Sequence, residues 1–412
     1  MAPQTIRGFR DILPPQSDAF YLIEKTAREI FSLYNYNELR IPAVEYYELF
    51  VKSTGETTDI VQKEMYRFKD ASQRDLALRP EGTPSVARAY INNNLSQTGR
   101  NTKYFYIADM FRAERPQAGR YRQFEQIGAE NIGSSSPYSD AESVAMLDSV
   151  LKKLGLEGYT LEINSLGCAE CRKKYREQLL SYLRTKKDLC SLCMERIEKN
   201  PLRTLDCKVD GPKFSDFPQL ELCPDCARHH DDFKSALLTA GISFSENKRM
   251  VRGLDYYSRT VFEFKTGELG SQDAIAGGGR YDNLIKSMGG PDAPSVGWAM
   301  GVDRIALLLE KKWTELEKKP LIFFIAMSSS QAACCFKLLT ELRRQGLSCD
   351  FSDFSLSLKS QMRSADKSAA RFAAIIGQEE EEKGEVTVKD LYSKEQKKIK
   401  KDELPDFLKR YI

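Results

Sequence analysis

Histidine is almost missing from this chain: its 412 residues include two, His229 and His230, side by side. A histidine general base, the usual proton-transfer group of enzymes, is therefore not expected. Any chemistry must run on carboxylates, arginines and tyrosines. No run of eighteen apolar residues occurs, so nothing is expected to span a membrane. The opening Met1-Ala2-Pro3-Gln4-Thr5-Ile6-Arg7 lacks the apolar stretch that a secretion signal needs. Lys401-Asp402-Glu403-Leu404 does not stand at the C-terminus, so it is no retention signal. A cytoplasmic protein is the expectation. A charge excess is also lacking, since 62 Lys and Arg against 59 Asp and Glu leave +3. That balance neither requires nor excludes a nucleic-acid partner, because a local basic face suffices. No internal repeat and no phosphate-binding P-loop appear; Gly277-Gly278-Gly279-Arg280-Tyr281-Asp282 lacks the Gly-Lys-Ser/Thr ending.

What is present fits a globular chain of two or three domains: hydrophobic residues make up 41 % and charged residues 29 %. Pro14-Pro15-Gln16-Ser17-Asp18 predicts a capped helix entrance. Phe20, Ile23, Ala27, Ile30, Phe31 and Tyr34 then recur at helical spacing and predict one core-facing stripe. Residues 104–111, 159–163 and 260–264 mix apolar and polar side chains and predict antiparallel strands with one wet face. Residues 167–246, rich in Cys, Lys and Arg, predict an insertion. Lys311 to Pro320 predicts a charged linker. Beyond it, a strand at 321–326, a helix from Gln331 to Gln345 and a strand at 372–377 predict a small α/β domain with a largely parallel sheet. The acidic run Glu379 to Glu382 predicts a solvated turn.

Four motifs carry chemistry. In Phe111-Arg112-Ala113-Glu114-Arg115-Pro116-Gln117-Ala118-Gly119-Arg120-Tyr121-Arg122-Gln123-Phe124, four arginines fall within eleven residues around a Pro/Gly turn. The segment is either an exposed basic hairpin or a polyphosphate clamp, since guanidinium forks match phosphate oxygens. Gln126 and Glu130 share parity with Arg112, Glu114, Arg120, Arg122 and Phe124; in one long hairpin all would face one way. Leu78-Arg79-Pro80-Glu81-Gly82-Thr83 places a carboxylate and a hydroxyl where they could seat an ammonium group, or is an ordinary capped turn. Arg252-Gly253-Leu254-Asp255-Tyr256-Tyr257-Ser258-Arg259-Thr260 sets two tyrosines beside two arginines. Ser295 to Arg304 brings Gly297 and Gly301, which permit close backbone approach, before an arginine opening a helix that is apolar on one side.

Together these residues resemble the histidyl-tRNA synthetases. The arginine hairpin resembles the second signature motif of class II synthetases, and Gly301 to Arg304 the third. Arg252 to Tyr257 and Ala276 to Asp282 resemble the two histidine-specific motifs. Arg7-Gly8-Phe9-Arg10-Asp11-Ile12-Leu13-Pro14 resembles the family's N-terminal signature. Leu358-Lys359-Ser360-Gln361-Met362 and Ala365-Asp366 resemble its C-terminal anticodon-binding domain. The match runs nearly the whole chain; one departure is Asp303, where the family often has glutamate.

The resemblance implies an α+β fold: a class II catalytic domain on an antiparallel six-stranded sheet flanked by helices, with an inserted module and a C-terminal α/β anticodon-binding domain. The implied boundaries are 1–166 and 247–319 for the catalytic domain and linker, 167–246 for the insertion and 320–412 for the anticodon domain. It implies a homodimer that joins L-histidine to histidine tRNA through a histidyl-adenylate, using ATP with magnesium. Arg112 and Arg252 would hold the α-phosphate and the substrate carboxylate. Arg120 and Arg304 would hold the outer phosphates, Phe124 would stack on adenine and Glu114 would face its amino edge. Glu81, Gly82, Thr83 and Gln126 belong to the ammonium seat. Glu130 and Tyr257 would bond the imidazole nitrogens, with Tyr256 and Tyr281 shaping the pocket. Arg115 and Gln117, at the hairpin tip, would touch the tRNA acceptor end. The rival of another class is the regulatory paralogue of ATP phosphoribosyltransferase, which typically lacks the anticodon domain and the intact arginine motif. A second rival, a synthetase for another amino acid, fits Tyr256-Tyr257 with Glu130 less well.

Ten cysteines are present, seven of them from Cys168 to Cys226. Clustering of this kind in a cytoplasmic protein favours metal ligation over disulfides. Cys168-x-x-Cys171 with Cys190-x-x-Cys193 has the spacing of a four-thiolate structural zinc site. Cys223-x-x-Cys226 is a third pair and Cys207 stands alone. Which pairs combine depends on how the insertion folds, and reduced thiols without metal are the alternative.

Overall fold

Phe20, Ile23, Ala27, Ile30 and Phe31 all lie on the buried side of the helix Gln16–Leu33. Its N-cap is Pro15, with no side-chain cap bond. The expected polar cap is absent, and Asp18 in the first turn instead offers a charge favourable to the helix N-terminus. The computed structural model describes residues 3–55, 58–98, 102–270, 273–316 and 318–411. Met1 and Ala2 of the leader reading and Glu317 of the linker reading lie outside them.

The chain forms two compact units, Met1–Glu315 and Leu316–Ile412. The first is built on an eight-stranded sheet. Its order is Asn37–Glu38, Thr102–Phe111, Gln123–Ile132, Ser295–Gly301, Ala274–Arg280, Ser258–Thr266, Tyr159–Ser165 and Ser245–Glu246. The six inner strands pair antiparallel, and the two short edge strands pair parallel. The resemblance's six-stranded antiparallel sheet is thus present, extended at each edge.

Alternation along these strands sorts the two faces. Ile127, Ala129, Trp298, Met300, Phe262 and Phe264 belong to the main apolar core, with the helices Gln16–Leu33 and Pro137–Lys153. Phe31 stacks on Phe105 at 4.3 Å and on Trp298 at 5.8 Å between ring centroids. The register puts small residues on the opposite face: Gly128 beside Ala299, Glu130 beside Gly297, and Gly277 beside both Ala299 and Glu263. One face is therefore a packed core and the other a shallow floor on which a ligand can approach the backbone.

Both histidines are structural. His229 Nε2 lies 2.8 Å from Asp140 Oδ2, and His230 Nε2 lies 3.4 Å from Glu246 Oε2. Asp140 also pairs with Arg280, whose side chain is fully buried and donates to the carbonyls of Ser134 and Ser136.

Residues 167–246 begin with the helices Ala169–Arg184 and Ser191–Lys199 and short 3-10 turns, which share a small apolar core of Tyr175, Leu179, Leu183, Ile197, Leu205, Phe214 and Phe217. The helix Pro224–Thr239 instead sends Phe233 and Leu237 into the main core.

The second unit has a five-stranded sheet in the order Cys349–Phe351, Ile322–Ala326, Phe372–Ile376, Glu385–Asp390, Gln396–Lys400. The first three strands pair parallel; the fourth returns antiparallel, and the fifth pairs antiparallel with the fourth. The sheet is mixed rather than largely parallel, because the chain turns back through the helix Gln378–Lys383 and then adds one hairpin. The helix Ala332–Arg344 forms within the expected span. Gln361, on the helix Leu358–Lys367, is fully buried and bonds both backbone groups of Ala326. The acidic run is a correction: Gln378–Lys383 is a helix, not a turn. Its Glu380 carboxylate caps its own start by accepting from the Gly377 amide at 3.1 Å and also accepts from Thr387 at 2.9 Å.

Candidate functional site

A cleft of about 390 Å³ opens on the small-residue face of the large sheet. Its positive charge comes from four arginines on separate segments. Arg112 follows the strand Thr102–Phe111, and its Nε donates to the Pro80 carbonyl at 2.9 Å. Arg120 stands after the turn in which Gln117 and Arg120 exchange backbone bonds of 3.0 and 2.9 Å. Arg304 opens the helix Val302–Leu308 and donates to the Ala274 carbonyl. Arg252 lies on the sheet floor paired with Glu263, whose other oxygen is 3.4 Å from Lys265. Burial, and then the neighbouring guanidinium of Arg120, lower the Arg304 pKa. Cations crowded in this way are stabilised by an anionic ligand.

Arg252 can lie flat only because residue 277 is glycine. A Cβ there would meet the guanidinium at 2.7 to 2.8 Å. Glu114 pairs with Arg120 and stands 3.8 Å from Arg112. Arg112 also sits over the Phe124 ring, 5.3 Å from its centroid. Phe124 and Gln126 line the cleft from the strand Gln123–Ile132.

At one end two carboxyls sink below the floor. Glu81 precedes the helix Thr83–Asn92 and accepts from Thr54 Oγ1 at 2.7 Å and Tyr256 OH at 2.8 Å. Glu130 accepts from Thr83 Oγ1 at 2.7 Å and from the Tyr281 hydroxyl. Burial pushes Glu130 up to about 8, against those two hydrogen bonds, and the nearby Glu81 charge adds to the rise. Burial likewise raises Glu81. Two hydroxyl-tethered acids with little water around them suit a ligand bearing N–H donors or positive charge.

Of the residues singled out in the sequence, Glu81, Thr83, Arg112, Glu114, Arg120, Phe124, Gln126, Arg252, Tyr256, Tyr257 and Arg304 all line this cleft. Gly82, Glu130 and Tyr281 do not line it but pack just behind it. Tyr281 reaches Glu130, and Gly82 abuts the Tyr106 ring, where a Cβ would not fit. Arg115 and Gln117 are exposed at the hairpin tip, away from the lining. The expected parity holds for Phe124 and Gln126 but breaks in the turn. Arg122 turns away, and its guanidinium donates to the carbonyls of Glu114 and Arg7 at 3.2 Å.

That bond and another tie the N-terminal signature to the hairpin: Arg10 pairs with Asp303 at 2.7 Å, and Asp303 also accepts from the Glu125 amide at 3.0 Å. Aspartate at 303 therefore has a bracing task here. Tyr106, Asp206 and Glu263 also line the cleft. Glu263 could have been suspected, as the lone acid within Val261-Phe262-Glu263-Phe264; nothing in the sequence flags Tyr106 or Asp206.

The six cysteines of the three pairs gather with a different partition from the one their spacing suggests. Cys168, Cys171, Cys223 and Cys226 form one group, and Cys190 and Cys193 join Cys207 and Asp210 in another.

A family model described as Histidyl-tRNA synthetase matches residues 8–208 and 214–305, and one described as Anticodon binding domain matches residues 322–411. The histidine–tRNA ligase of Elusimicrobium minutum (strain Pei191) is 51 % identical over 397 residues, covering 96 % of this chain and 96 % of that protein. That of Aquifex aeolicus (strain VF5) is 46 % identical over 410 residues, covering 97 % and 99 %. The crystal structure of apo histidyl-tRNA synthetase from S. aureus matches with a TM-score of 0.83 at 33 % identity, covering 99 % of this chain and 100 % of that one.

Proposed function

The chain belongs to the histidyl-tRNA synthetase family, and from that membership we propose how its cleft performs the reaction. The protein is a histidine–tRNA ligase: it activates L-histidine with ATP and transfers the histidyl group to histidine tRNA. A carboxylate oxygen of histidine attacks the α-phosphorus of ATP. The new O–P bond forms as the bond to pyrophosphate breaks. The nucleophile is already an anion, so no general base is needed, in keeping with a cleft lined by no histidine. Rate enhancement then rests on alignment and on fixed positive charge at phosphorus.

Arg112 and Arg252 hold the α-phosphate and the substrate carboxylate, and Arg120 and Arg304 hold the outer phosphates. Phe124 supports the adenine ring and Glu114 faces its amino edge once Arg120 swings to phosphate. Glu81, Thr83 and Gln126 receive the ammonium group, while Glu130 and Tyr257 bond the imidazole nitrogens and Tyr256 and Tyr281 shape the pocket. The acid pair Glu81 and Glu130, a short way from four arginines on one floor, is the observation that carries this assignment. Magnesium, an oxygen-seeking ion, would be held by phosphate oxygens with Glu263, one of the carboxylates lining the cleft, and would neutralise charge on the departing pyrophosphate.

The same reading assigns 1–166 and 247–319 to the catalytic domain and linker, 167–246 to the insertion and 320–412 to the anticodon domain. It also carries a homodimer and a cytoplasmic setting. Among the described residues no helix is long and apolar enough to cross a membrane. Arg252 and the matched anticodon domain count against the regulatory paralogue. Pyrophosphate exchange into ATP, run with each amino acid in turn, tests the assignment. Exchange with histidine is expected, and exchange with a different amino acid instead would overturn the pocket roles.

A further inference from the structure

The cysteine groups carry an inference beyond the ligase reaction. In each group the four ligand atoms lie within 4.8 Å of one another. Cys168 and Cys171 place their sulfurs 3.6 Å apart, and Cys190 and Cys207 place theirs 3.8 Å apart. A disulfide needs about 2.05 Å. A tetrahedral ion with metal–sulfur bonds of about 2.3 Å has sulfur–sulfur edges of about 3.8 Å. The spacing is therefore that of ligands around one ion, and it is too tight for an iron–sulfur cluster.

The local folds agree. All three Cys-x-x-Cys pairs sit at helix starts: Cys168, Cys190 and Cys223 are the N-cap residues of the helices Ala169–Arg184, Ser191–Lys199 and Pro224–Thr239. The second cysteine of each pair falls in the first turn of its helix, so each helix start holds both sulfurs of its pair together. The Cys223 amide donates to Cys171 Sγ at 3.2 Å. Asp210 is fully buried, and its oxygens accept from Lys213 and from the Cys190 amide at 2.8 Å. That buried carboxylate among three thiols has no apolar role.

We propose that this module binds two zinc ions, one held by Cys168, Cys171, Cys223 and Cys226 and the other by Cys190, Cys193, Cys207 and Asp210, and that the two ions brace the loop carrying Arg252. Three contacts transmit the bracing. Arg172, next to Cys171, donates to the Tyr257 carbonyl at 2.7 Å. Asp206, next to Cys207, lines the cleft beside Arg252. Asn200, at the end of the second cysteine helix, donates to Asp255 at 2.8 Å. The first ion ties two helix starts distant in sequence; the second closes the small core of the module. The bracing part rests on the histidine-ligase reading of the cleft, whereas the metal content does not.

The test is metal analysis of the full chain purified without chelators, with X-ray absorption at the zinc edge. About two zinc per chain are expected, with an average ligand set between three and four sulfurs plus oxygen. Cys223→Ser and Cys207→Ser should each retain about one zinc. Cobalt loaded in place of zinc should give thiolate charge-transfer bands that fall by roughly half in each variant. Stripping both ions should raise the KM for histidine several-fold in pyrophosphate exchange. Zinc below a tenth of an equivalent in the parent chain would overturn the proposal, as would a single equivalent unaffected by Cys207→Ser. Two zinc whose removal leaves the KM for histidine unchanged would overturn the bracing alone. If a variant fails to fold, the zinc-edge spectrum of the parent still decides: an all-sulfur average counts against the second site.

Discussion

The carboxylate of Glu130 occupies the space directly over Gly297, its cross-strand partner, where any Cβ would collide with it. Gly297, on the strand Ser295–Gly301, thus leaves room for the acid of the neighbouring strand Gln123–Ile132. Gly297→Ala should push Glu130 off its bonds to Thr83 and Tyr281. The expected result is a KM for histidine raised by roughly tenfold or more, about 1.4 kcal/mol of binding, with the KM for ATP little changed. Equal losses for both substrates would show that the glycine serves the whole sheet rather than the acid.

Gly277 and Glu263 hold Arg252 on the cleft floor, and the role proposed for it there is to supply charge at phosphorus. Arg252→Ala should lower kcat for pyrophosphate exchange by roughly a hundredfold or more. Arg252→Lys should recover little, because an ammonium cannot reproduce the planar fork. Steady-state kinetics on chains with unaltered circular dichroism check it; a kcat within threefold of the parent in either variant contradicts the role.

Glu130 should give histidine use a pH dependence. Its carboxyl is raised to about 8 by burial, so the free enzyme holds it neutral below that pH and ionised above. The anion is the form that accepts an imidazole N–H. kcat/KM for histidine should therefore climb as pH rises from 7, reach half its limit near the raised pKa and level off about one unit above it. Glu130→Gln should raise the KM for histidine and remove that inflection. A flat parent profile, or an inflection that survives the substitution, argues for another group.

Arg115 is exposed at the hairpin tip and outside the cleft. Arg115→Ala should leave pyrophosphate exchange within about twofold of the parent and depress aminoacylation of histidine tRNA at least tenfold. Gln117→Ala should act in the same direction, more weakly. Comparable damage to both steps would place the tip at ATP instead.

Asp140 joins Arg280 and His229 in full burial. Asp140→Ala leaves the buried Arg280 guanidinium with Asp282 as its remaining acid and should cost roughly 3 kcal/mol of stability. Urea unfolding measures it, and a loss under about 1 kcal/mol would mean that water or a neighbour replaces the carboxylate.

Much of this was legible in the residues alone. Helical spacing gave the stripe of Gln16–Leu33, and runs of mixed apolar and polar residues gave three of the six inner strands, whereas the glycines of Ala274–Arg280 and Ser295–Gly301 hid two others. The arginine hairpin and the tyrosine pair marked the cleft because their side-chain types are costly to place together without a ligand. The run Glu379 to Glu382 misled because charge suggests solvent, while a carboxylate that caps its own helix can be buried. Arg280 shows a pairing that local sequence does not display: it sits in a glycine-rich motif, yet its guanidinium is held by Asp140, 140 residues earlier.

Sequence by itself determined the class of fold, the family and most side chains that meet in the cleft, because periodicity and motif chemistry are local properties of the chain. Tertiary structure decided what depends on approach between distant segments. It set which glycine leaves room for which charge, which acid is buried deeply enough to hold a proton near neutrality, and which cysteine pairs converge. Cys168-x-x-Cys171 and Cys190-x-x-Cys193 are neighbours along the chain, but the path of the helix Pro224–Thr239 back to the main core brings Cys223 and Cys226 to the first pair and leaves Cys207 and Asp210 to the second. Spacing counts residues, whereas ligation requires atoms a few ångströms apart, and only the packed chain fixes that distance.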